Sequence, residues 1–191
     1  MYFFKAISDD VQFAQIEFRK QSRVKKLVLG SFLSCMAAIL HSAGDLLPGV
    51  GYFISPFATL PILIGAMFSL QMAAMAYFLT ILLLLMLFPS ELFVFPFTTG
   101  LLGIGIGAAF SFFKKRLTII SFCAILLTIG IMGLLYVFHF PVLGPAVSDT
   151  FSFLTSGSIF LFALLYSWLW VELALFFFKR IKGTGSSSQF G

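Results

Sequence analysis

From residue 27 onward the apolar positions of this chain run in long unbroken blocks, without the alternation of half-exposed strands. The first block covers residues 27–43. A turn-rich stretch follows at 41–51, holding His41, Asp45, Pro48 and Gly51. Residues 52–88 then form 37 positions without a formal charge, closed by Pro89. At about 20 residues per membrane crossing, that is too long for one span and enough for two short ones. The natural break lies at residues 69–71, where Gln71 is the only strongly polar side chain. Beyond a loop from Pro89 to Pro96 that carries Glu91, further blocks cover 97–113, 117–138 and 153–178. The pattern predicts an all-α polytopic membrane protein with six transmembrane helices. Continuous apolar blocks exclude a β-barrel, whose strands alternate, and only a helix satisfies its backbone within one segment in lipid.

Residues 1–26 follow a different rule. Phe4, Ile7, Val11, Ala14 and Phe18 recur at helical spacing, and Lys5, Asp9, Gln12 and Arg19 lie largely off that stripe. This predicts an amphipathic helix on the cytoplasmic side, either lying on anionic lipid or docking a cytoplasmic partner. Residues 27–182 form a single membrane domain. The Gly- and Ser-rich residues 183–191 have the composition of a flexible tail.

Charge fixes the orientation. Of 191 residues only 10% are charged, and mean hydropathy is +1.08, far from a soluble domain with roughly 25% charge. The 12 basic residues fall in three groups: Lys5 to Lys26, Lys114 to Arg116, and Lys179 to Lys182. Six spans put all three groups on one side and Asp45, Glu91 and Asp149 on the other. Under the positive-inside rule both termini are then cytoplasmic, in a multi-pass protein of a bacterial plasma membrane. The same segregation assigns the net charge of +5 to membrane anchoring, with no nucleic-acid partner.

Few side chains are available for chemistry. His41, Asp45, Glu91, His139 and Asp149 cluster by topology on the outer side, with Thr155 and Ser158 near the outer end of the last span. They are either the lining of an outward-facing ligand site or solvated loop residues and caps, Asp149 being placed to cap the last helix. Gly30, Ser34, Ala38 and Ser42, each four apart, form a groove of small residues on the first span, for a helix of this chain or of another subunit. Gly100, Gly103, Gly107 and Ser111 form a second small face, expected to be a close crossing inside the chain. Cys35 and Cys123 sit singly in apolar runs. No nucleotide-binding, metal-ligand or nucleophile-elbow motif occurs, which predicts a non-enzyme without cofactors that cannot power transport alone.

The small-residue face on the first span, the Pro-led run of residues 61–74, and the Gly-rich span starting at Phe97 and ending at Lys114 to Arg116 together resemble the substrate-binding S-components of energy-coupling-factor (ECF) transporters. The resemblance covers roughly residues 26–182. It implies a small-molecule ligand held in an outward-facing pocket by the outer loops and the ends of the later helices. It also implies a membrane coupling subunit meeting Gly30, Ser34, Ala38 and Ser42, and partner cytoplasmic ATPases. The 27 Phe residues and the absence of Asn lean toward a fairly apolar ligand. The competing reading is a non-catalytic scaffold or assembly protein of the bacterial envelope, or a lipid-handling membrane protein.

Overall fold

The computed structural model describes residues 21–47, 49–140 and 153–186, with side chains through residue 177. The expected amphipathic segment therefore lies outside the described residues for positions 1–20, as does Asp149. The described chain is all-helical, and six of its helices are long and apolar enough to cross a membrane. We name them α1 (Arg23–Leu46), α2 (Gly51–Phe68), α3 (Leu70–Leu87), α4 (Val94–Phe112), α5 (Arg116–Val137) and α6 (Phe153–Ser186).

Each boundary has a local cause. Ser22 caps α1, its hydroxyl accepting from the Lys25 amide at 3.4 Å. The helix does not stop at residue 43 but runs to Leu46. The hydroxyl of Ser42 donates to Ala38 O at 2.8 Å, and the chain passes through Gly44 without leaving helical geometry. The charge-free stretch after it breaks at Ser69, as its polarity predicts. Ser69 is extended (φ −164°, ψ 147°) and its hydroxyl accepts from the Met72 amide at 3.1 Å, opening α3. The last helix continues through Ser186, four residues into the segment expected as a tail.

Three of the spans are irregular. α2 begins with one α-turn, Gly51–Ile54, followed by a 3₁₀ segment, Ser55–Ala58, that carries Pro56. α4 is interrupted at Thr98, between Val94–Phe97 and Thr99–Phe112. α5 ends in a π-helical turn, Gly133–Val137. Two of these irregularities, the starts of α2 and α4, lie side by side in the site described below.

Two apolar cores hold the bundle. One joins α1, α2 and α3 through Leu33, Ala37, Ile62, Met72, Ala76 and Leu84, with Phe95 at its edge. The other joins α4, α5 and α6, with Leu63 and Met67 of α2 reaching into it. The seam between them is a close crossing of α2 and α4. A side chain at Gly107 would run into Ala66, and one at Gly103 would meet the Ile62 side chain and the Thr59 carbonyl oxygen. This is the crossing expected from the glycine spacing on the fourth span.

The outer surface is apolar. Phe78, Met86, Phe112, Phe153 and Leu154 are all more than 60% exposed. A water-soluble bundle would not present so much apolar surface, whereas in lipid it costs nothing.

Candidate functional site

The structure gathers polar groups where α1, α2 and α4 meet. His41, near the end of α1, is 1% exposed. Its Nε2 lies 3.1 Å from Oε2 of Glu91, which stands in the turn between α3 and α4 and is itself only 14% exposed. On the other side of the ring, Nδ1 lies 3.3 Å from the Ser55 hydroxyl in the 3₁₀ start of α2 and 3.4 Å from the Thr99 hydroxyl at the break in α4. A carboxylate only accepts. A proton on the nitrogen facing it leaves Nδ1 to accept from the hydroxyls. The Nε2–Oε2 contact is an ion-pair distance without the alignment of a good hydrogen bond. Phe95 closes the cluster from α4, its ring edge-on to the imidazole at 5.2 Å.

Backbone geometry makes room for this arrangement. Gly44 lies one turn along α1 from His41, where Glu91 approaches the helix. A side chain there would touch Oε1 of Glu91 at 3.4 Å. Gly51 brings the start of α2 against the Ala43 carbonyl, leaving no space for a Cβ. Asp45, exposed at the end of α1, accepts from the Ser90 hydroxyl and so ties α1 to the same α3–α4 turn. Tyr77 ties α3 to the first turn of α4, donating to Pro96 O at 3.1 Å.

One turn further along α2 from Ser55 stands Thr59, fully buried. Here α6 meets α2. The Tyr166 hydroxyl donates to Pro56 O at 3.2 Å, and Trp170 packs edge-on against Phe57 with ring centroids 6.2 Å apart. Tyr166 also stands beside Thr59 and Trp170. The Thr59 hydroxyl and the Trp170 indole N–H are both buried and lack a well-formed hydrogen bond. Buried donors of this kind normally have partners, and the Tyr166 oxygen beside both is the acceptor at hand. Together the two groups follow the irregular start of α2: an acid–imidazole pair at one end, hydroxyl and indole donors with aromatic walls at the other.

Of the residues expected to bind ligand, His41 and Glu91 are brought together and Asp45 joins through Ser90. His139 is not part of this group. It is exposed beyond the π-helical end of α5, with a left-handed backbone (φ 49°). Thr155 is half-buried, while Ser158 is exposed and donates to Leu154 O at 2.9 Å within α6. No hydrogen bond joins either of them to His41 or Glu91. Asp149 lies outside the described residues. Ser55, Thr59 and Thr99 were missed by sequence reasoning. Their signal was a lone hydroxyl in an apolar block next to a proline or a second threonine, which is weak.

The small-residue face of α1 is occupied within the chain. Gly30, Ser34, Ala38 and Ser42 are all buried, and α3 covers the face. The Met75 side chain lies over Gly30, and the Thr80 hydroxyl approaches the Ser34 carbonyl at 3.3 Å. Both serines turn their hydroxyls back onto their own helix, Ser34 to Gly30 O at 2.7 Å and Ser42 to Ala38 O at 2.8 Å. The expectation that this stripe meets a separate coupling subunit is corrected accordingly: a second helix has no access to it while α3 is in place.

At the other end of the bundle Arg116 is 4% exposed, and its guanidinium lies 3.3 Å from Glu172 of α6. The basic group at 114–116 is thus not uniformly solvated. Its third residue serves as a buried tie between α5 and α6. Among the described residues no three His, Cys, Asp or Glu side chains converge to hold a metal ion. No family model, curated protein or solved structure matches the chain.

Proposed function

We propose that this chain is the membrane-embedded, ligand-binding subunit of a solute uptake system, driven by ATPases supplied by partner proteins. The observation that carries the reading is the buried His41–Glu91 pair at the irregular start of α2. Ionisable side chains inside an apolar bundle are costly to keep and mark ligand or ion pathways by default. In this reading Glu91 and His41 bind a polar or charged end of the solute. Thr59 and Trp170 donate to an acceptor atom, and Phe57, Phe95 and the Trp170 ring enclose an apolar body. That division suits a small, mostly apolar molecule with a few polar groups.

The positive-inside rule places both termini in the cytoplasm of a bacterial cell, with the His41–Glu91 end facing outward. The turn between α3 and α4 then covers the site from outside, and the ends of α2 and α4 can separate at their breaks to admit the solute. With the α1 stripe buried under α3, the coupling subunit has to meet another face of the bundle.

Affinity purification of the full chain from native membranes in mild detergent tests the partner assignment. The expected result is co-purification of a second integral membrane protein and ATPase subunits. Recovery with envelope-synthesis proteins and no ATPase would favour the scaffold reading and overturn this one.

A further inference from the structure

Fixed charge at the His41 end of the bundle has one sign. The ends of all six helices on that side fall within residues 27–113 and 117–178, and neither stretch holds a Lys or Arg. The Glu91 carboxylate therefore faces an imidazole at 3.1 Å, and no guanidinium or ammonium group stands at this end among the described residues. A carboxylate in an apolar bundle is costly without a cation beside it. The imidazole is arranged to share one. Its Nε2 is buried, and its contact with Glu91 lacks the alignment of a hydrogen bond. Its Nδ1 is met by the Ser55 and Thr99 hydroxyls. A hydroxyl donates or accepts as required, so the ring keeps a partner at Nδ1 in either tautomer. With the proton on Nδ1, the Nε2 lone pair lies beside the carboxylate, and the two make adjacent acceptors.

We propose that the solute's charged end is a primary or secondary ammonium group, bound jointly by the Glu91 carboxylate and Nε2 of His41. This names the substrate class of the uptake reading and rests on that reading. An ammonium nitrogen carries the positive charge that Glu91 lacks and at least two N–H donors, one for each acceptor. Two acceptors bonded to one tetrahedral nitrogen stand about 4.6 Å apart. Glu91 then withdraws from the ring by about 1.5 Å, a distance that rotation of its own side chain covers. It has room to do so, being 14% exposed while His41 is 1% exposed. A carboxylate or phosphate solute in the same place would meet Glu91 as a like charge, with no lysine or arginine at this end to offset it.

Isothermal titration calorimetry of the full chain in phosphatidylcholine nanodiscs tests it, with four probes that share one aromatic body. These are phenethylammonium, its trimethylated form, phenethyl alcohol and phenylpropionate. Phenethylammonium is expected to bind at least about tenfold tighter than the alcohol, as a charge-assisted contact provides. Phenylpropionate should bind more weakly than either. The trimethylated form keeps the charge but has no N–H to donate, and should lose most of the margin. E91Q, with its fold checked by its melting temperature, should abolish the margin. D45N removes the same charge from an exposed position and leaves an acceptor for the Ser90 hydroxyl, so it should weaken the ammonium by less than about threefold. Phenylpropionate binding as tightly as phenethylammonium, a margin unchanged in E91Q, or equal losses in D45N and E91Q would overturn the proposal. So would an absence of phenethylammonium binding. The uptake reading is judged separately by its co-purified ATPases, so either can fail while the other stands.

Discussion

Arg116 and Glu172 set the terms for single residues in this molecule. Both would be costly alone in an apolar bundle, and their 3.3 Å contact makes them tolerable. Removing one partner takes a buried charged contact from the other. Glu172→Ala should therefore lower stability by about 3 kcal/mol, seen as a lower melting temperature in detergent. Replacing both with methionine should recover much of that loss, because packed apolar side chains substitute well for a buried ion pair. If the double variant is as unstable as the single one, the pair is not what holds α5 to α6. The same logic applied to His41 and Glu91 separates structure from function. Glu91→Gln keeps the side chain's shape, so the fold should survive while ligand binding falls. Sequence reasoning named both residues, but as outer-loop groups. Their burial was not legible because it depends on Gly44, Gly51 and Ser55, which come from three segments and carry no charge or motif.

Elements here are shaped by small residues more than by propensity. Gly103 and Gly107 let α4 approach α2 until backbone meets side chain, and Ala66 fills the space opposite Gly107. Gly107→Ala should push the two helices apart and cost about 1–3 kcal/mol, the usual range for overpacking. Gly133→Ala, at a position with open space around it, should change stability by much less, and parallel melts of the two variants check the difference. The glycine face of α4 was legible because its spacing of three and four has one geometric meaning. The stripe on α1 has the same spacing, yet the sequence left open whether its partner was internal. Only the position of α3 decides that, and helix adjacency is a tertiary fact. Thr80→Val should remove the hydroxyl that donates to Ala76 O at 2.7 Å and approaches the Ser34 carbonyl at 3.3 Å, at a cost of about 0.6 kcal/mol. Ser34→Leu and Ala38→Leu should instead disrupt folding, since both positions are buried against α3.

At the scale of the whole molecule, the number of spans and the break at Ser69 follow from where 19 charged residues fall in 191. Charge position and apolar length are properties of a segment, so a chain can display them without its fold. The site is a property of the assembled bundle. It arises where the 3₁₀ start of α2 and the break in α4 fall side by side, and breaks of this kind leave polar groups free to face a ligand. In the proposed function a solute binds there. The most direct measurement is native mass spectrometry of the chain extracted from its own membranes, compared with E91Q. One small-molecule adduct per chain, present in the wild type and lost in E91Q while both remain folded, is the predicted result. A wild-type chain free of any such adduct, or an adduct retained unchanged in E91Q, would contradict it.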